Sequence, residues 1–369
     1  MPPLAPNDPS RPTVSSPSSS GGGSPPPSPE LLLKAGPFLR KGVTTPRLMV
    51  DVILGLGPVV LAAIYFFGLS AILIILAATA GAAFTEFILP PGGQPRGRSL
   101  KDGSAVLTGI LMGLCLPPAI PMWMAFLGGA AGIGLGKLAF GGLGQNLFNP
   151  ALVGRAFLQA AFPQAITTWS SQGTVAEFST IRPSNFALPF MQPPPPVDTI
   201  TTATPLGMFK FEGQAESLNN LLVGNTAGSL GETCAILILI CGLILAIRRT
   251  FDWRIPLSIL ATVGIFSLIL WLLNGERFAT PLHMLTSGGL LFGAVYMATD
   301  PVTSPIAPRG TIVFGIGIGL LVVLIRNWGG LPEGVMYAIL LMNAATPLIE
   351  RVGQPRAFGR TEGGKAVAS

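Results

Sequence analysis

Arg155 is the residue whose setting most clearly demands a chemical partner. It lies inside the apolar run PALVGRAFLQAAF, which covers residues 150–162. A positive charge at membrane depth costs at least about 2.5 kcal/mol unless it is paired. We therefore predict an acidic, phosphate or carbonyl partner for Arg155, which makes it a candidate cofactor-binding residue. A side chain that snorkels towards water is the alternative.

Three acidic residues lie at or within apolar segments. Asp300 stands directly before Pro301, where one segment breaks, whereas Asp51 and Glu86 lie within or at the ends of the first two. Carboxylates in such places line ion paths or cap helix ends. Both interpretations stay open for each of the three.

Several kinds of catalytic site are excluded by residue type. His283 is the only histidine, so the chain cannot form a multi-histidine metal site, and hydrolase chemistry is disfavoured. The three cysteines lack C-x-x-C spacing, which argues against a zinc site and a disulfide framework. Buried apolar packing is one interpretation of them, and a metal cluster shared with a neighbouring subunit is the other. We find no phosphate-binding P-loop.

A threonine-rich turn follows four prolines at 193–196. The segment DTITTATPL runs from Asp198 to Leu206 and offers several hydroxyl groups. By themselves these residue types are more typical of a solvated loop.

The elements that must position these residues are membrane helices. Mean hydropathy is +0.62, 49% of the residues are hydrophobic and only 10% are charged, which excludes an ordinary soluble domain. We predict an all-α polytopic protein with ten hydrophobic segments, near 49–68, 69–88, 104–117, 121–139, 147–161, 233–248, 255–274, 282–299, 311–326 and 333–350.

The basic residues predict the topology. They cluster at 40–47, 96–101, 248–254 and 351–365, and these clusters share one side when the N-terminus is cytoplasmic. Because they lie at helix ends and form no single patch, nucleic acid is not an expected partner. The predicted organisation is a disordered tail at 1–40, five helices at 41–161, an outward loop at 162–231, five helices at 232–353 and a tail at 354–369.

An internal repeat supports two halves. A shift of 184 residues aligns Gly109, Pro117 and Pro121 with Gly293, Pro301 and Pro305. Two successive five-helix halves must cross the membrane in opposite directions, as in many transporters. The sequences LCLPPAIP and ATDPVTSP then mark helices that end early, which requires that they line a cavity or lie buried in protein. Ordinary loop prolines are the alternative.

Four motifs in order carry a family resemblance. SLKDGSAVLTGILMGLCLPP, GGLGQNLFNPALVGRAFL, GSLGETCA and YMATDPVTSP resemble segments of the NqrB/RnfD family, with most likeness to RnfD, over residues 40–353. These are flavin-carrying membrane subunits of ion-translocating electron-transport complexes. The resemblance implies a urea-channel-like fold of two inverted five-helix repeats in the bacterial inner membrane.

The family pattern also implies a covalent flavin. A flavin transferase attaches FMN to the last residue of D-x-x-[ST]-G-A-[ST], and Asp198, Thr201, Ala203 and Thr204 match that pattern, which makes Thr204 the implied attachment site. Thr202 departs from it, because the family has glycine there. Non-covalent riboflavin is also implied, and the glycine-rich segments GGLGQNLFNP and LTSGGLLFG would permit close approach of a flat ring.

The implied function is electron transfer between ferredoxin and NAD, coupled to Na+ or H+ movement, together with iron–sulfur, flavin and NAD-binding subunits. Two rivals stay open. One is an NqrB-type subunit that feeds quinone, and the other is a urea-channel-like channel without flavin, which the Thr202 departure favours.

Overall fold

A computed structural model describes residues 44–91, 95–169, 181–189 and 203–353. These residues belong to one compact unit, Val43–Ser369. All regular structure in the described ranges is helical, as predicted. The predicted tails at 1–40 and 354–369 lie outside the described residues.

The first part of the chain forms a helical group around α2, which packs against both α3 and α4. Its helices are α1 (Thr45–Phe67), α2 (Leu69–Ile88), α3 (Ser104–Leu114), α4 (Met122–Gly136), α5 (Pro150–Ala161) and the short α6 (Pro163–Thr167).

The second part packs around α13, which contacts α10 and α14. Its helices are α7 (Pro205–Gly207), α8 (Leu218–Val223), α9 (Ala235–Ile247), α10 (Arg254–Leu273), α11 (Pro281–Thr286), α12 (Leu290–Phe292), α13 (Pro308–Trp328) and α14 (Val335–Gly353). Two π-helical turns, Met208–Glu212 and Gly293–Met297, continue α7 and α12.

Five helices of the described residues are long and apolar enough to cross a membrane, so the chain is a polytopic membrane protein. They are Thr45–Phe67, Leu69–Ile88, Met122–Phe140, Arg254–Leu273 and Pro308–Trp328. Two shorter helices, Ser104–Leu114 and Ala235–Ile247, are also apolar.

Glycine lets these helices approach closely. A Cβ atom at Gly81 in α2 would collide with the Phe126 carbonyl of α4, and one at Gly315 in α13 would collide with Ser258 of α10. Helix packing in lipid depends on such small residues, because burial from water no longer drives association.

Both proline-rich breaks are real helix ends. Helix α3 ends at Leu114, whose carbonyl accepts the amide of Gly231 at 2.8 Å. Just beyond the helix, the Leu116 carbonyl accepts the amide of Leu230 at 3.1 Å. The predicted segment 282–299 is not one helix, because it divides into α11, α12 and a π-helical turn. The division falls at Gly288, whose φ of +68° favours glycine and ends the preceding helix.

Candidate functional site

Thr204 begins a short helical segment that we call the threonine segment, residues 204–212. Its Oγ1 atom accepts the amide of Gly207 at 3.1 Å, and its carbonyl accepts the amide of Met208 at 2.8 Å. Thr204 is half-buried and Ala203 is exposed. The capping bond occupies a lone pair of the hydroxyl oxygen and leaves its proton free. Asp198 and Thr201 lie outside the described residues.

Arg155 has acidic partners, as predicted. Asn149 caps α5 through its Oδ1 atom, which accepts the Ala151 amide at 3.0 Å, and Pro150 starts the helix. One turn further along, Arg155 lies 3.4 Å from Glu232 and 3.6 Å from Glu333. All three side chains are largely buried. Snorkelling is therefore not the conformation of Arg155.

A second arginine completes this group, which we call the arginine network: Arg155, Glu232, Glu333 and Arg326. Arg326 donates to the carbonyls of Met284 and Ser287 at 2.6 and 3.0 Å. Glu333 accepts the Gly289 amide. A Cβ atom at Gly289 would lie 2.7 Å from Glu232 and 2.8 Å from Glu333, so glycine allows both carboxylates to approach this backbone.

Within the arginine network, Glu232 differs from an ordinary surface acid. Glu232 lies in the segment before α9, where burial and then the neighbouring Glu333 raise its pKa, against the opposing effect of Arg155. A raised pKa means that Glu232 takes up a proton more readily than an exposed glutamate does.

Glu86 belongs to a separate buried ion pair with Lys137, which we call the lysine pair, and Ser104 adjoins it. The Lys137 ammonium donates to Glu86 at 2.7 Å and to Ser104 Oγ at 2.6 Å. Ser104 Oγ in turn donates to Asp102 at 2.6 Å. Glu86 is fully buried, so it requires this cation.

Asp300 lies beside a cavity between the two parts of the chain. Its Oδ1 atom accepts the Val302 amide at 3.1 Å within a turn, well before α13 begins at Pro308, and the residue also lines the cavity. The walls include Leu107, Leu111 and Val295, and polar groups contribute as well, namely Ser104, Thr108, Lys137, Asn146, Asn149 and Thr299. The segment GGLGQNLFNP supplies Leu143, Asn146, Asn149 and Pro150. The segment LTSGGLLFG instead adjoins the arginine network.

Asp51 occupies a different environment. It lies 3.2 Å from Arg248, whose side chain is 51% exposed. Asp51 and Glu86 thus have different cationic partners, and Lys137, the partner of Glu86, lines the same cavity as Asp300. Within the described ranges, no group of three His, Cys, Asp or Glu residues could hold a metal ion.

Sequence reasoning missed Glu232, Glu333 and Lys137 as candidates. Lys137 stands at the end of an apolar segment, where a basic residue indicates only topology, and neither glutamate lies deep within an apolar run. A usable signal existed for Glu232, since GSLGETCA is one of the four motifs of the resemblance.

Comparison with known proteins gives consistent matches. The family model described as NQR2, RnfD, RnfE matches residues 32–359. The D subunit of the proton-translocating ferredoxin:NAD(+) oxidoreductase complex of Clostridium ljungdahlii is 37% identical over 337 residues, 89% of this chain and 96% of that protein. The D subunit of an ion-translocating oxidoreductase complex of Stutzerimonas stutzeri is 41% identical over 344 residues, 88% of this chain and 94% of the relative. The D subunit of the Na(+)-translocating ferredoxin:NAD(+) oxidoreductase complex of Acetobacterium woodii is 37% identical over 336 residues, 90% of this chain and 96% of that relative.

Proposed function

The chain belongs to the NQR2, RnfD, RnfE family, and on this premise we propose that it is the flavin-carrying D subunit of an Rnf-type complex. In this proposal the complex transfers electrons between ferredoxin and NAD and couples the transfer to Na+ or H+ translocation. The observation that carries it is the similarity to the D subunits of such complexes along about nine-tenths of the chain. The chain is a subunit of an oxidoreductase and is not catalytic alone.

The first proposed cofactor is FMN, joined through its phosphate to Thr204 Oγ1 by a flavin transferase. The local structure fits this attachment. Ala203 is exposed, and glycine at position 207 leaves space beside Thr204, because a Cβ atom there would lie 3.2 Å from Thr204 Oγ1. A bound flavin would supply one- and two-electron redox chemistry. Thr204 would anchor it, and Asp198, Thr201 and Ala203 would serve recognition by the transferase.

The second proposed cofactor is riboflavin, held without a covalent bond in the membrane part of the complex; the cavity beside Asp300, with a volume of about 60 Å³, is too small for its ring system. Leu107, Leu111 and Val295 give that cavity an apolar wall, whereas the Asn149 side chain already accepts the Ala151 amide and donates to the Met297 carbonyl. Arg155 faces carboxylates, which weighs against a role for it in binding a flavin phosphate.

The finer topology is also part of the proposal. We infer ten spans in two inverted five-helix repeats in the bacterial inner membrane, both termini cytoplasmic and residues 162–231 periplasmic. The partners would be subunits with iron–sulfur clusters, a further flavin and the NAD site, together with membrane lipid. Asp51, Glu86 and Asp300 remain candidates for an ion path.

In-gel flavin fluorescence of the denatured protein, co-expressed with a flavin transferase, tests the covalent attachment. We expect a fluorescent band from wild type that disappears in Thr204→Ala and persists in the matched control Thr199→Ala. Thr202→Gly, which restores the family pattern, should label at least as well as wild type. No band in any of these proteins would reject the covalent flavin and favour the channel or a subunit with non-covalent flavin only. The identity of the partner subunits that co-purify with the chain would distinguish an Rnf-type complex from the NqrB-type alternative.

A further inference from the structure

Lys210 makes an unusual set of contacts for a lysine outside the membrane helices. Its Nζ atom donates to the carbonyls of Arg326, Gly329 and Leu331 at 2.9, 2.5 and 2.9 Å. An ammonium group has three N–H donors, so all of them are used. These carbonyls lie at and beyond the C-terminal end of α13, where helix carbonyls lack intrahelical partners and the helix dipole favours a cation.

The backbone links Lys210 rigidly to Thr204. Within the threonine segment, the Thr204 side chain and carbonyl accept the amides of Gly207 and Met208, and the Phe209 carbonyl accepts the amide of Gly213. The six-residue step from Thr204 to Lys210 is therefore hydrogen-bonded helical structure. A constraint on the Lys210 side chain consequently constrains the position of Thr204.

Two further contacts dock the same segment. Phe209 packs against the buried His283 with ring centroids 5.6 Å apart. Leu206 is buried beside Gly288, where a Cβ atom would lie 2.6 Å from Leu206 and 3.0 Å from Glu333. Leu206 adds an apolar contact and Phe209 an aromatic one, whereas Lys210 supplies three hydrogen bonds.

The partner of Lys210 is the turn that carries two members of the arginine network. Lys210 bonds to the backbone of Arg326 itself and to Leu331, two residues before Glu333. The Arg326 guanidinium holds the Met284 and Ser287 carbonyls, on the segment that contains His283. One lysine thus fastens the threonine segment to the backbone that orients Arg326 and Glu333.

We propose that Lys210 is a positioning residue that holds Thr204 in register with the arginine network. The docking of the threonine segment by Lys210 does not depend on the proposed function. Its consequence for electron transfer does rest on the proposed function, because the group that Lys210 would position is the flavin on Thr204. Because its three donors are engaged, Lys210 has no N–H group left to bind the flavin phosphate. Covalent attachment at Thr204 should therefore survive the loss of Lys210.

Hydrogen–deuterium exchange of the purified full chain tests the docking directly. We compare wild type, Lys210→Met, Lys210→Arg and the control Glu212→Gln, which changes an exposed charge in the same segment. In Lys210→Met, the amides of residues 204–213 should exchange about tenfold faster or more, since bonds to a charged donor are lost and an isolated short helix is unstable. Lys210→Arg should restore part of the protection, and Glu212→Gln should stay within about twofold of wild type.

The flavin readout is made on the same proteins after co-expression with the transferase. We expect the fluorescent band to persist in Lys210→Met and the fluorescence anisotropy of the native protein to fall. Unchanged exchange in Lys210→Met would overturn the proposal, and so would faster exchange throughout α2, which would mean a general role in stability. Absence of a band from wild type would instead reject the covalent flavin of the proposed function, while the exchange data would still decide the docking.

Discussion

The lysine pair and the arginine network solve the problem of buried charge in different ways. The lysine pair joins one cation to one anion at 2.7 Å, and both side chains are at most 1% exposed. The arginine network spreads its charges over longer contacts of 3.4 and 3.6 Å, and its Glu333 side chain is 20% exposed. The first is closed and local to α2–α4, whereas the second connects α5 to two segments of the later chain.

This difference separates a structural contact from an adaptable one. A single buried pair has no substitute partner, so both charges must stay. In the arginine network, Glu333 also has the Gly289 amide, and Glu232 can take up a proton. The network also adjoins the threonine segment, through Gly288 and the turn that Lys210 binds. We therefore expect stability to depend most on the lysine pair, and coupling to Thr204 to depend on the network.

The largest expected effect is that of Lys137→Met. It would leave Glu86 buried without a cation, and we expect a loss of about 3–5 kcal/mol in the free energy of unfolding. Denaturant titration of the purified protein in mild detergent measures it. The double variant Lys137→Met/Glu86→Gln should recover much of the loss. If the single and double variants were equally unstable, packing and not charge would explain the effect.

Arg155→Met should cost less than Lys137→Met, about 2–3 kcal/mol. The two glutamates would lose their shared cation, but Glu333 keeps the Gly289 amide and Glu232 can become neutral. The same titration compares the variants, with Arg155→Lys as a control that retains a charge. A loss larger than that of Lys137→Met would contradict the distinction drawn between the two groups.

Glu232→Gln should have a smaller effect, about 1 kcal/mol. The amide imitates a protonated carboxyl, which the raised pKa of Glu232 already favours, and Arg155 keeps Glu333 as its partner. The matched variant is Glu86→Gln, which leaves Lys137 without its only ion-pair contact among the described residues and should cost more. Equal losses in the free energy of unfolding for Glu232→Gln and Glu86→Gln would contradict the difference between the arginine network and the lysine pair.

Asp51→Asn should have the smallest effect, below about 1 kcal/mol, because its partner Arg248 is half-exposed and such pairs contribute little. Since the fold should tolerate this change, ion translocation by the reconstituted complex can be measured without interference from unfolding. Loss of translocation with intact stability would assign Asp51 to the ion path, and unchanged translocation would exclude it.

Features that depend on neighbouring residues were predicted correctly from the sequence. The apolar segments predicted the helices, and the Pro-rich sequences at 117–121 and 301–305 marked true helix ends. Sequence reasoning failed at 282–299, where hydropathy is continuous but Gly288 breaks the helix. Arg155 was predicted to have a partner, yet nothing local identified Glu232 and Glu333, which lie 77 and 178 residues further along.

The sequence alone determined the membrane class, the family and the positions of most helices, because apolar length and motif order are properties of neighbouring residues. Only the tertiary structure decided which buried charges meet and where the threonine segment docks. Glu86 contacts Lys137, and Lys210 binds the end of α13, because packing brings together residues that are remote in the chain. The free energy of burying a charge depends on those through-space neighbours, and no local pattern records them.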